Sequence, residues 1–143
     1  MDETSARLRA KLAARLEGDE RVAAAYLFGS TARSQATPLS DVDVAVVVSP
    51  SVEPGERGPL QRQLLARLGA ELDGREVDVR FLDELPTAIA GRVVSEGVLV
   101  LDQLPVERVR AEVKARMLYH DFQPFEEAGV REGLAGLRDR ARG

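Results

Sequence analysis

The stretch from Tyr26 to Val48, YLFGSTARSQATPLSDVDVAVVV, restricts the fold more than any other part of this chain. Two apolar runs flank a small-residue turn at Gly29-Ser30, and the second run opens with two acids, Asp41 and Asp43. Side chains alternate faces along a strand, so carboxylates with one residue between them point the same way. Two acids at the mouth of an apolar strand repel each other and gain nothing from packing. A divalent cation is the simplest partner that makes the arrangement favourable. The stretch reads as a strand, a turn, a short helix and a second strand starting at the acids.

Around it the periodicities alternate. Thr4 or Ser5 is placed to cap a first helix, whose Leu8, Leu12, Ala13 and Leu16 recur at helical spacing and which Gly18-Asp19 ends. Val22 to Phe28 and Asp41 to Val48 read as strands. Ser49 to Pro59 reads as a mobile Pro/Gly/Glu loop, and Leu60, Leu64, Leu65, Leu68 and Leu72 mark a second helix ending at Asp73-Gly74. Glu76 to Leu82 alternates as a third strand, Asp83 to Glu96 is a helix with Pro86 in its first turn, and Val98 to Leu101 is a fourth strand. Val106, Val109, Val113 and Met117 share one face of a further helix, and residues 119–143 form a glycine-rich, weakly amphipathic tail. This order predicts an α+β fold, an α/β sandwich in which helices pack on one small mixed sheet of about four strands. No linker or internal repeat divides residues 1–143, which read as a single domain.

Composition narrows the function classes. A net charge of −4 gives no general basic field, so direct nucleic-acid binding is not expected. There is no cysteine and one histidine, which excludes disulfides and leaves no zinc ligand set. The charged N-terminus has no apolar signal core, and no apolar run approaches the roughly 20 residues needed to cross a bilayer. The expected location is the cytoplasm, with no membrane partner.

A third acid, Asp78, stands between Val77 and Val79 on the third strand. If the second and third strands are neighbours, Asp78 faces Asp41 and Asp43, and three carboxylates make an oxygen-rich pocket suited to Mg²⁺. Mg²⁺ so held completes its shell with water and substrate phosphate, as phosphoryl or nucleotidyl transfer requires. Gly29 lets the backbone approach a ligand closely, and Ser30 with the N–H groups of the following turn can hold phosphate oxygens. Arg33, one turn on, brings a guanidinium to the same anion. Taken singly, each piece has an ordinary explanation: a Gly-Ser turn, a capping acid, a solvated arginine, an Asp78 paired with Arg75 or Arg80. Taken together, their spacing serves one nucleotide and its metal.

These residues resemble a known family. GSTARSQATPLSDVDVAVVV is similar to the signature of the DNA polymerase β nucleotidyltransferase superfamily, and more closely to that of the minimal nucleotidyltransferase (MNT) antitoxins of HEPN/MNT toxin–antitoxin pairs. The likeness extends over the leading helix, Asp78, the Gly97-Val98-Leu99 strand and the LYHDFQP tail. It implies the nucleotidyltransferase fold, with Gly29 and Ser30 on the ATP triphosphate and Arg33 as the arginine that often follows them. Asp41 and Asp43 would ligate Mg²⁺, and Asp78 would be the third metal-binding and catalytic carboxylate. Ser34 and Thr37 depart from the glycine and second arginine that many relatives carry. By this likeness the chain is a protein adenylyltransferase that moves AMP from ATP to a tyrosine hydroxyl of a partner HEPN toxin.

Two rival readings stand beside it. One is an antitoxin that neutralises its partner by contact alone. The other keeps the chemistry but takes a small acceptor of the aminoglycoside type, against which the length argues, since there is no room for an acceptor-binding helical domain. Tyr119, Phe122 and Phe125 cluster near the C-terminus although only 4% of residues are aromatic. They either cap the domain's own core or anchor a partner. Oligomeric state is left open, since the Val/Ala-rich helices offer material for a dimer surface.

Overall fold

The computed structural model describes residues 3–29, 41–70 and 76–121. Helix α1 (Glu3–Leu16) leads into strand β1 (Val22–Phe28), and β2 (Val42–Val48) follows. Helix α2 (Arg57–Gly69), β3 (Val77–Phe81), α3 (Thr87–Glu96) and β4 (Val98–Asp102) come next. The chain is then helical over 105–121, here called α4. The strands form one sheet in the order β3-β2-β1-β4. β2 and β3 are parallel, whereas β1 is antiparallel to both β2 and β4. The result is the expected α+β sandwich, which among the described residues is a mixed four-strand sheet carrying four helices.

β1 and β2 are central, which explains their near-continuous apolar sequences: both faces are covered. On one face Leu8, Leu12 and Leu16 of α1 and Leu60, Leu64 and Leu68 of α2 meet Leu27, Val42, Val44, Val46, Val79 and Phe81. On the other, Ile89, Ala90, Val93 and Val94 of α3 and Ala115 of α4 meet Ala24, Tyr26, Ala45 and Val47. The β1–β2 register shifts between Val22 and Ala24. That bulge lets Ala23 and Ala24 both join the second core although they are adjacent in sequence.

Several details differ from the sequence expectation. Thr4 and Ser5 lie inside the first turn of α1 rather than ahead of it. The stretch read as a mobile loop is built: Ser49 Oγ lies 2.9 Å from Ser51 Oγ, Glu53 N–H donates to Glu56 Oε1, and a 3-10 turn (Pro54–Glu56) runs into α2. α2 therefore begins before Leu60, with Pro59 in its first turn, where a missing N–H costs nothing. Pro86 precedes α3, and residues 82–84 form a separate 3-10 turn. α2 ends at Gly69 with Ala70 as its C-cap, before the expected stop at Asp73-Gly74. The short helix expected between Gly29 and Asp41, and Phe122 and Phe125, lie outside the described residues. Among the described residues no helix is long and apolar enough to cross a membrane.

Two polar braces fix the ends of the sheet. Gln103 donates through Nε2 to the carbonyls of Asp19 and Val22, and its Oε1 accepts from Gly18 N–H, tying the α1–β1 turn to the end of β4. The nearly buried Asp19 carboxylate accepts from Arg21 Nε and Nη2 at 2.9 and 2.8 Å and from Arg67 Nη1 at 3.1 Å. The Arg21 guanidinium holds its carboxyl well below the usual range, against an opposing push from burial. Asp19→Asn is expected to lower unfolding stability by about 2 kcal/mol, the scale of a hydrogen bond to a charged group. Because this folded-state pKa is depressed, the wild-type advantage is full above the ordinary carboxylate pKa of about 4 and fades as pH falls below it. Urea midpoints of the two chains should therefore differ most at pH 7, and the gap should narrow only partly by pH 3, closing as pH falls through the depressed folded-state value.

Candidate active site

Asp43 and Asp78 sit where β1, β2 and β3 meet in one row, and Asp41 lies two residues ahead of Asp43. Phe28 pairs with Asp43 across the antiparallel β1–β2 ladder, and Asp43 pairs with Asp78 across the parallel β2–β3 ladder. Strands two and three are thus neighbours, and Asp43 and Asp78 are direct register partners. Paired residues share a face and their strands lie about 4.8 Å apart. Asp41 stands just before β2, with the wholly buried Val42 between it and Asp43. Val42 N–H donates to the Glu76 carbonyl at 2.8 Å, which fixes the opening of β2 against β3. Asp41, Asp43 and Asp78 are all partly exposed, at the solvent end of an otherwise apolar ladder.

Gly29 ends β1 with φ = +76°, a left-handed conformation that a residue with Cβ adopts only under strain. Ser30 and Arg33 lie outside the described residues.

The carboxylate of Asp78 is engaged. Arg80 Nε lies 3.2 and 3.1 Å from its two oxygens. These residues share one side of β3, and Arg80 is in register with Ala45, whose small side chain leaves the guanidinium room. Among the described residues no group of three acids or histidines converges tightly enough to hold a metal. The row nevertheless offers hard carboxylate oxygens on adjacent strands, a donor set whose chemistry suits Mg²⁺ rather than a softer metal.

Residues that sequence reading had not singled out hold β3 in place. Gln61 Nε2 donates to the Val79 carbonyl at 2.6 Å, covering the outer edge of β3. Arg57 grips both oxygens of Asp83 at 2.7 Å, and its guanidinium lies over the Phe81 ring, 5.5 Å from the centroid. The Arg57 charge holds the Asp83 carboxyl below its ordinary value. Polar residues spaced one turn apart at the start of α2 were the available signal. Tyr119 lies against α3: a Cβ on Gly91 would come within 2.5 Å of its ring. This aromatic of the terminal cluster therefore packs on its own domain.

Residues 10–105 match the model of the family described as "Polymerase beta, Nucleotidyltransferase". No curated protein matches the chain. Several solved structures share its fold. One is a toxin–antitoxin with AMP-PNP (22% identity, TM-score 0.66, 88% of this chain and 98% of that one). Another is the toxin–antitoxin MntA-HepT (21%, 0.61, 90% and 98%). A third is a tri-AMPylated Shewanella oneidensis HEPN toxin in complex with MNT antitoxin (21%, 0.61, 91% and 98%). With the family model running from α1 past β4 and so across the row of acids, the chain belongs to the polymerase β nucleotidyltransferase family.

Proposed function

We propose that this chain is an MNT antitoxin that transfers AMP from ATP to a tyrosine hydroxyl of a partner HEPN toxin, at a site built on Asp41, Asp43 and Asp78. The observation that carries the reading is the Asp43–Asp78 register pairing beside the Gly29 turn, inside the segment matched by the family model. Gly29, Ser30 and Arg33 hold the triphosphate. Asp41, Asp43 and Asp78 would hold Mg²⁺, which when bound supplies positive charge beside the phosphates and the leaving group. The acceptor hydroxyl oxygen forms a bond to the α-phosphorus as the bond from that phosphorus to the α,β-bridging oxygen breaks. Pyrophosphate leaves with the electron pair, and Asp78 takes the hydroxyl proton. The solved toxin–antitoxin structures that share the fold, one with an AMPylated toxin, support the choice of acceptor. The site lies in the cytoplasm, where ATP and Mg²⁺ are abundant.

One observation favours a second reading, neutralisation by contact alone: Asp78 is already paired with Arg80. Intact-mass measurement of the HEPN partner after incubation with ATP and Mg²⁺ separates the two. Added AMP supports transfer, whereas a silenced partner of unchanged mass supports contact. Asp41→Asn and Asp43→Asn should each lower transfer at least about a hundredfold, the equivalent of ~3 kcal/mol, without lowering thermal stability. Full transfer by both variants would remove the metal-ligand assignment. Arg80→Gln, which releases Asp78, should reduce severalfold the Mg²⁺ concentration giving half-maximal transfer, read from a metal titration of the initial rate.

A further inference from the structure

The face of the sheet that carries the acids runs on into a cavity. Asp43 alternates onto the face of β2 that holds Ala45 and Val47. Asp78 and Arg80 lie on the same face of β3, because Val79 and Phe81 point into the α1/α2 core. Leu82 continues that face just past the end of β3. It lines a cavity of about 100 Å³, whose apolar walls are completed by Leu85, Ala90 of α3, and Ala111, Ala115 and Leu118 of α4. From Asp78 to Leu82 is about 13 Å along the strand, four steps of the strand rise.

Size restricts what the cavity takes. Sites for nucleotide-sized or drug-sized molecules hold about 300 Å³ or more. An apolar cavity of about 150 Å³ accommodates a benzene ring and stays dry when empty, so this smaller one suits a single aliphatic side chain. Asp83 and Lys114 also border it, opposite in sign, and Arg57 already holds Asp83. Apolar contact rather than charge therefore selects the occupant.

Position indicates whose side chain it is. Gly29 continues β1 past the Asp43 row toward Val42, whereas β3 leaves Asp78 in the direction of Val46. The glycine turn and the cavity thus lie on opposite sides of the Asp43–Asp78 pair. In an in-line displacement the attacking and leaving oxygens also stand on opposite sides of the phosphorus. With the triphosphate at Gly29 and Ser30, the acceptor enters from the side of Leu82.

We propose that this cavity anchors one leucine- or methionine-sized side chain of the acceptor segment, within about four residues of the hydroxyl that receives AMP, the span an extended chain needs. The inference rests on the transferase reading for the direction of entry. It adds a determinant of acceptor choice that lies apart from the acids.

The test follows AMP addition to the HEPN partner by intact mass at varied partner concentration, with partner affinity measured by calorimetry. Ala111→Leu fills the cavity from α4, and Leu118→Asp puts a charge at its exposed edge. Unfolding temperatures should hold. Each variant should raise KM for the partner at least about tenfold and weaken partner affinity to match, while affinity for ATP stays at the wild-type value. On the partner, alanine in place of one aliphatic residue near the modified hydroxyl should reproduce the loss and add nothing further against the Ala111→Leu chain. Wild-type KM and affinity in both variants would overturn the inference while leaving AMP transfer intact. So would a wild-type dimer that Ala111→Leu dissolves at unchanged KM, since the occupant would then be a second copy. A wild-type chain that adds no AMP, yet loses partner affinity in both variants, would sustain the anchor and overturn the transferase reading instead.

Discussion

The parallel register between β2 and β3 is the constraint on which the rest depends. It sets Asp43 beside Asp78, and a slip of one residue would send each acid to the opposite face. Two valine-rich strands resist that slip. Val42, Val44, Val46 and Val79 are wholly buried on the side of α1 and α2, and a one-residue slip would turn them out of that core. The hydrophobic effect thus fixes the position of charged groups it does not touch. Gln61 and Arg57 then hold β3, the outer strand of the sheet among the described residues.

The two faces of the sheet do this with different materials. The α1/α2 side interlocks leucine with valine, while the α3/α4 side is lined by Ala23, Ala24 and Ala45. Alanine on the sheet and Gly91 on α3 bring the layers close, and Tyr119 fills the angle between α3 and α4. Family membership follows from the chain as a whole, over residues 10–105, whereas the acceptor and the partner are proposals supported by shared fold.

Local order was legible in the sequence because local physics sets it. The bounds of β1 were read to the residue, and β2, β3 and β4 to within one, since period-two patterns and flanking turns mark them. Strand order was not, because neighbours are chosen by contacts distant in sequence. The Asp43–Asp78 pairing could be written only as a condition. The segment 49–59 looked loose from its proline and glycine content, yet Ser49 and Glu56 organise it through hydrogen bonds that composition does not announce. α4 shows the limit of periodicity. Its valines do share a face, but that face is turned outward because the alanine-lined sheet accepts Ala111 and Ala115 at closer range.

Arg80 has a consequence for how this domain meets an incoming cation. Its guanidinium already satisfies Asp78, so the sheet can close without waiting for an ion to quell the negative charge there. Under the proposed metal site, an incoming ion would have to displace this tethered competitor from Asp78.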